Sequence, residues 1–402
     1  MKNYSKFEQS GYIGGPSILF VTPSTPFTQR SGTEQRSSLI YQALTQVGNV
    51  DVVLLTEGNP PQSATRVSSE TGTQVTVQLQ QNTRFFSRYR PQSSLTTEIE
   101  MALGRPLESY QLIVGRYLWP ICQLLIPDHI PKIVDLDDFK YRYSQDAPWS
   151  VSLTAERIKK FISHHLAARE LKRFSAAFLV SELDRSLVRN LPSQLLPNIP
   201  VCIKSNPSTS KNGKKLLFVG SLWYRPNADG INWFLDHVWP KVLRAEPEST
   251  LTLVGSAPDM MRRHWELHSN VSAPGFVNDL DAVYAQANVV VVPVHSGGGS
   301  NIKVLECLGH QRPCVASMFT AQAFGDALRG GEHLLLADSA DQFADHIIDV
   351  LDYPERYETM ADQGYRLVSS HFSKAMFAEN VVAFVHRLIG VQHPDPKEVF
   401  PV

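Results

Sequence analysis

Two apolar spacings alternate along the chain, and each predicts a different element. Short unbroken apolar runs bounded by turn residues read as buried strands. In the first half these are 17–22, 50–55, 112–114, 132–135 and 177–180, with a more alternating run at 74–79. Between them lie stretches with the wider spacing of amphipathic helices. The clearest follows Ser31-Gly-Thr-Glu34 and carries Leu39, Ile40, Ala43 and Leu44. Ser31 and Glu34 have the spacing of a capping box, which assigns Glu34 to the helix start rather than to chemistry. Strand and helix in alternation imply a parallel sheet covered on both faces.

A polar, Ser/Pro/Lys-rich stretch at 204–215 interrupts the pattern and reads as an interdomain linker. The alternation then restarts, with strands at 215–219, 251–254, 289–294, 314–316 and 333–336. Asn227 reads as the N-cap of a helix with Ile231, Phe234, Leu235 and Val238 on one face. Asp279 caps a helix running to about 287, and Ser339 with Gln342 forms a capping box before Phe343, Ile347 and Leu351. A chain of 402 residues is too long for one ordinary core. The expected class is α/β, with two Rossmann-like doubly wound domains facing a central cleft. Their expected extents are 1–205 and 206–373, with the 374–402 segment carrying a last helix back to the first domain. Ligands in such sheets bind beyond the carboxyl ends of the strands.

Composition narrows the class of protein. Hydrophobic residues make up 43% and charged residues 19%, as in a folded globular chain rather than a disordered one. A net charge of −1 leaves no global basic field, so no nucleic-acid partner is expected. Residues 1–15 lack the apolar core of a signal peptide, and no apolar run reaches membrane-spanning length, so a cytoplasmic protein is expected. Cys122, Cys202, Cys307 and Cys314 are scattered without metal-ligand spacing and read as small, reduced, buried hydrophobes.

The candidate chemistry concentrates in His295-Ser-Gly-Gly-Gly-Ser-Asn-Ile-Lys-Val-Leu-Glu306. Glycines between a strand and a helix let the backbone approach a ligand, and the helix start offers unpaired N–H groups to a phosphate. Lys303 lies one turn in as a phosphate partner, and Glu306 follows one turn later as an acceptor for sugar hydroxyls. The pattern suggests a nucleotide-sugar site.

Further motifs occur in order around this segment: Gly220 after a strand, Pro274-Gly-Phe-Val277, a strand ending at Pro293, Lys303-Val-Leu-Glu306, then Gly309, Pro313 and Val315. Together they resemble the donor domain of GT-B retaining glycosyltransferases of family 4 (glycosyl transferases group 1) over most of 215–390. Val219-Gly-Ser-Leu-Trp-Tyr-Arg-Pro-Asn227 with Trp233-Phe234 resembles a bacterial subgroup linked to exopolysaccharide assembly. In the first half, 28–36 resembles the family's glycine-bearing loop, and Leu196-Pro-Asn-Ile-Pro200 its interdomain Pro-Asn element. The resemblance implies a metal-independent hexosyltransferase without a resident cofactor, acting on a nucleoside-diphosphate sugar and a glycan, glycolipid or other hydroxyl acceptor. The expected donor-binding residues are Gly32, Gly220, Ser221, Phe276, Val277, His295, Gly298, Gly299, Ser300, Asn301, Ile302 and Glu306, and the expected catalytic residues are Lys303 and, at positions where the chain departs from the family, Arg225 and Asp137.

The chain departs from the family pattern at three points. Of the family's two glutamates, Glu306 matches the second and Gly298 stands at the first. Ser221 stands where an arginine usually holds the diphosphate, with Arg225 and Lys303 as the nearby cations. Asp137 stands where a histidine often ends a first-domain strand. Several residues keep two readings. Asp137 and Asp138 either face the cleft or cap the next helix, Gly32 is either a backbone donor or a turn glycine, and His295 either touches the donor or is solvated. Asp135-Leu-Asp137 and Asp279-Leu-Asp281 spell the Asp-x-Asp string of metal-dependent transferases, although Asp279 fits an N-cap better. The basic, aromatic-flecked stretches 84–90 and 158–174 either rest on anionic lipid near a lipid-linked acceptor or, as is favoured, pack with a solvated outer face. Two rival functions remain at this point: a GT-B-fold nucleotide-sugar epimerase and a non-catalytic sugar-nucleotide-binding subunit of a polysaccharide assembly complex.

Overall fold

The computed structural model describes residues 15–28, 32–69, 72–80, 89–137, 142–143, 167–188, 190–200, 202–205 and 213–390. Among the described residues, sixteen strands form two large sheets and a two-strand ribbon. The first sheet contains β1 (Ser17–Thr22), β2 (Asn49–Gly58), β3 (Gln62–Ser69), β4 (Gly72–Gln80), β5 (Leu112–Arg116), β6 (Lys132–Leu136), β8 (Ala176–Leu179) and β9 (Ser193–Leu195), in the order β3-β4-β2-β1-β5-β6-β8-β9. All neighbours are parallel except β3 against β4. β3 escapes the apolar pattern because it is a polar edge strand with an exposed Val67. Polar edges are how sheets avoid further pairing.

The second sheet contains β10 (Lys215–Val219), β11 (Thr250–Val254), β12 (Val271–Gly275), β13 (Val289–Val292), β15 (Cys314–Ser317) and β16 (Leu335–Ala337). It is wholly parallel, in the order β12-β11-β10-β13-β15-β16. That is the dinucleotide-fold order, reversing direction between β10 and β13. The ribbon joins the halves: β7 (Arg142–Tyr143) pairs antiparallel with β14 (Ser296–Gly297).

Ile18 and Phe20 of β1 face the helix Gly32–Leu44, where Ile40, Ala43 and Leu44 are buried. The last helix, Lys374–Ile389, lies on the same face, with Phe384 5.6 Å from Phe178 between ring centroids. Leu19 and Val21 point the other way, into a separate core with Leu95 and Ile99 of the helix Ser93–Leu103.

Several local expectations change. The helix expected to start at Asn227 spans Arg225–His237, because Pro226 begins it and Tyr224 occupies the cap position. Asn227 is instead buried in the first turn and donates its side-chain amide to the Ser221 carbonyl at 2.9 Å. Glu34 accepts the Thr28 hydroxyl at 2.7 Å, while Ser31 lies outside the described residues. The caps at Asp279 and Ser339 are present, accepting from the Ala282 and Gln342 backbones. Ahead of the polar 206–212 stretch, the chain is already fastened to the second half: Lys204 N–H donates to the Gly309 carbonyl at 2.9 Å. Cys202, in that surface crossing, is exposed, whereas the other three cysteines are buried. No helix among the described residues is long and apolar enough to cross a membrane. Most of the 84–90 and 158–174 stretches lies outside the described residues; at 167–174, Leu171 and Phe174 are buried while Arg169 and Arg173 flank Glu170.

Candidate active site

The reversal of strand order between β10 and β13 opens a crevice at their carboxyl ends. Gly220 and Ser221 leave β10 on one side, and the glycine-rich loop leaves β13 on the other. A Cβ at Gly220 would lie 3.1 Å from the Asn227 amide nitrogen and 3.4 Å from Lys303 Cε. The absence of a side chain therefore lets the Lys303 stem run beside the end of β10.

The loop turns through left-handed backbone at Gly297 (φ +129°), Gly299 (φ +72°) and Asn301 (φ +42°). Glycine enters that region freely and asparagine tolerates it. Asn301 is the cap position of the helix Ile302–Gly309, which buries Val304, Leu305, Cys307 and Leu308. Its first amides and the positive end of its dipole point out of the sheet beside Lys303. Lys303 Nζ lies 3.5 Å from Asn301 Oδ1. Glu306 is three residues on, on the same side of the helix.

Burial pushes the Glu306 carboxyl above the ordinary range, and Lys303 and His310 offset only part of that rise. His310 anchors the far end of the helix. Its Nδ1 is 2.7 Å from the Glu306 carbonyl, its Nε2 3.0 Å from Asp281, and its ring stacks on Tyr284 at 4.2 Å. A carboxyl whose folded pKa is raised adds stability below its unfolded pKa and loses it as pH rises through the folded value. Glu306→Gln is therefore expected to raise the melting temperature of the ligand-free protein at pH 7–8, with the gain shrinking toward pH 4. A variant no more stable than the wild type at any pH would show that the carboxylate is not desolvated.

Other expected donor residues fall around the crevice in different states. Ser300 is buried, and its hydroxyl accepts the Asn198 N–H at 3.0 Å. Its side chain is thus committed across the halves, leaving the backbone for a ligand. Ser221 is exposed at the β10 end. Phe276, directly after β12, is 74% exposed, and Val277 packs against the core. His295 packs edge-on against Trp233, with centroids 4.5 Å apart, rather than standing free in solvent. Arg225 is exposed, with Nε 3.6 Å from Asp229. Gly297, Gly298, Gly299 and Asn301 line a small open crevice together with Ser181, Leu183 and Asp184 of the first half.

The first half has its own reversal point, between β1 and β5. Gly32 opens the helix there with no atom within 4 Å of where a Cβ would lie, so packing does not demand glycine at this position. A buried chain of charge occupies the space behind it. Arg36 donates from Nε to Asp135 Oδ2 at 2.9 Å, and Arg116 donates to the same oxygen at 2.8 Å. Arg116 also reaches Asp137 at 2.9 Å and the Tyr117 hydroxyl at 3.2 Å. Burial alone would raise the Asp135 carboxyl, but the two guanidiniums outweigh it and hold the group below the usual carboxylate range. Tyr117 has φ +60° and ψ 155°, a conformation costing about 1–3 kcal/mol that persists only where surroundings enforce it.

This chain accounts for the Asp-x-Asp strings. Asp135 and Asp137 are engaged by arginines, Asp279 caps a helix, and Asp281 takes His310 and Lys204. Asp138 lies outside the described residues. Among the described residues, no three His, Cys, Asp or Glu side chains converge as a metal site would require. Sequence reading placed Arg36 and Asn198 within family-like segments without giving either a role, and it overlooked Arg116. The available signal was an arginine on an apolar stripe, since Arg36 precedes Ile40 and Leu44 by one and two turns.

Comparison with known proteins bears on the fold that carries this site. Residues 213–353 match the family described as glycosyl transferases group 1. A 44.6 kDa uncharacterized protein in the cps region of Klebsiella pneumoniae is 24% identical over 172 residues, covering 40% of this chain and 44% of that protein. The alignment thus spans less than half of that relative. Sucrose-phosphate synthase from Thermosynechococcus elongatus superposes with a TM-score of 0.65 at 17% identity, over 94% of this chain and all of that one. HepE from Anabaena, solved with UDP and glucose, gives 0.63 at 13% identity, over 92% and 100%. An α,α-trehalose 6-phosphate synthase from Burkholderia multivorans gives 0.62 at 12% identity, over 93% and 99%. At such identities the likeness is one of fold, and the fold is GT-B.

Proposed function

We propose that the chain is a glycosyltransferase that moves a sugar, with retention of configuration, from a nucleoside diphosphate to a hydroxyl of a glycan or glycolipid. One juxtaposition carries this reading: Gly220, the glycine-rich loop, Lys303 and Glu306 meet at the reversal point of the second sheet, facing the first half. The group 1 match over this half supports it, as do solved GT-B neighbours that bind UDP and glucose. The relative in a cps region favours polysaccharide assembly as the setting.

In the proposed reaction the bond between the anomeric carbon and the diphosphate oxygen breaks, and the acceptor oxygen bonds to the same face of that carbon. The acceptor proton passes to the departing phosphate. Backbone N–H groups of 298–302 and the Lys303 ammonium oppose the charge that gathers on the diphosphate, where preorganised donors act most strongly. Glu306 accepts hydroxyls of the nucleotide ribose and sets orientation. Ser221, Phe276 and Val277 border the nucleotide, and His295, braced by Trp233, borders the sugar end. Arg225, exposed and paired with Asp229, is a peripheral cation. Asp137, held by Arg116, offers its remaining oxygen to acceptor hydroxyls.

Nucleoside diphosphate release, measured with and without a panel of glycan acceptors, tests the reading. Acceptor-dependent release is the expected result. Interconversion of free nucleotide sugars would replace it with an epimerase, and binding without release would replace it with a non-catalytic subunit. Because both Asp-x-Asp strings are engaged by protein groups, activity is expected to persist in excess EDTA. Loss of activity restored by Mn²⁺ would count against that expectation.

A further inference from the structure

We propose that Arg36 and Asn198 are positioning residues: they pin the glycine-rich loop of the second half to the buried charge chain of the first, so that the loop is ordered before a donor arrives. The ligand side of this proposal rests on the function proposed above. The observation beneath it is a continuous series of short contacts crossing between the halves. Asp137 meets Arg116 at 2.9 Å, and Arg116 meets Asp135 at 2.8 Å. Asp135 meets Arg36 at 2.9 Å, and Arg36 Nη1 reaches Asn198 Oδ1 at 3.1 Å and the Leu196 carbonyl at 2.8 Å. The Asn198 N–H then donates to Ser300 Oγ at 3.0 Å.

Physical chemistry makes the series stiff. Arg36, Arg116 and Asp135 are at most 1% exposed, and hydrogen bonds between charges at low dielectric are short, strong and mutually reinforcing. Asn198 stands in Pro197-Asn-Ile-Pro200. Pro197 has a locked φ, and Pro200 confines Ile199 to extended backbone. With its side chain clamped by Arg36, Asn198 presents its N–H in one direction.

The loop at the other end is its opposite. Gly297, Gly298 and Gly299 impose almost no backbone preference, and alone would sample many conformations. Ser300 lies between Gly299 and Asn301, both left-handed, and its buried hydroxyl receives the Asn198 N–H. Phosphate-binding amides that are already aligned need not be ordered on binding, which favours affinity and rate. The pin thus reaches the donor site from Arg36 and Asn198, which themselves touch no donor.

Three variants test this: Asn198→Ala, which releases the Arg36 clamp, Ser300→Ala, which removes the acceptor hydroxyl, and the two combined. Amide hydrogen exchange over 296–301 in the ligand-free protein is expected to speed up in each single variant and no further in the double. The dissociation constant of the nucleotide sugar that the wild type binds, measured by titration calorimetry, is expected to weaken by up to about tenfold in each single variant, the scale of one lost hydrogen bond. The double variant should be no weaker than the weaker single, since both changes cut one link. Ser300→Thr, which keeps the hydroxyl, should restore both readouts, and it carries the test against Ser300→Ala if Asn198→Ala does not fold. Unchanged exchange in the single variants, or losses that multiply in the double, overturns the pin. A wild type that binds no nucleotide sugar defeats the proposed function, while the exchange measurement still decides whether the loop is pinned.

Discussion

Replacing Lys303 with alanine is expected to slow release of nucleoside diphosphate by about two to three orders of magnitude while leaving the protein folded, because an electrostatic partner of the developing charge is removed. Lys303 lies in the first turn of the helix Ile302–Gly309, beside the end of β10, where the dipole, the loop amides and the ammonium act on the same space. The departing diphosphate gains charge in the transition state, so the loss should fall on kcat more than on donor affinity. Arg225→Ala should do much less. Arg225 is exposed and already paired with Asp229, and an exposed charge is screened by water and salt. Turnover at saturating donor, compared between the two variants, is the decisive measurement. A Lys303→Ala enzyme within threefold of the wild type, or a larger loss from Arg225→Ala, would move the phosphate site away from this helix.

The second large effect concerns stability. Asp135→Asn should destabilise the first half by about 3–5 kcal/mol, since it leaves Arg36 and Arg116 buried with no full countercharge between them. For a unit of this size that corresponds to a fall in melting temperature on the order of 10 °C. The pH dependence carries a sign that a mere packing defect would not. A carboxyl whose folded pKa is depressed contributes stability that is present above its unfolded pKa and lost as pH falls through the folded value. The gap between wild type and Asp135→Asn should therefore be widest near neutrality and should narrow below pH ~4, the unfolded aspartate range. Thermal unfolding at pH 7 and at pH 3.5 checks this. A gap that stays constant between the two would assign the loss to shape rather than to charge.

The parts of the fold that were legible along the chain are those that depend on neighbours in sequence. β10, β13 and β15 are buried on both faces, so their apolar runs are unbroken and easily read. β3 was not legible because an edge strand that must discourage pairing has a polar surface. Asn227 misled for a related reason. Its residue type suits a cap, but Pro226 starts the helix earlier and leaves asparagine inside the first turn.

The candidate site divides in the same way. The glycine-rich loop, Lys303 and Glu306 are twelve consecutive positions or fewer, and their geometry follows from a strand, a permissive turn and a helix start. Their chemistry could be read without knowing where any other residue lay. The charge chain could not. Arg36 and Asp135 are 99 residues apart, and Asn198 and Ser300 are 102 apart.

The sequence by itself determined most of the element types, the doubled α/β plan and the loop at which a phosphate is expected, because periodicity, capping and glycine freedom act over a few residues. Only the tertiary structure decided that Asp137 would be held by an arginine, that His295 would rest on Trp233, and that Ser300 would be tied to the other half. Those outcomes depend on strand order, which brings β1, β5 and β6 side by side and sets the 196–200 crossing against the glycine-rich loop. A buried charge takes whichever partner the packed backbone places within reach, and no local pattern in the chain encodes that choice.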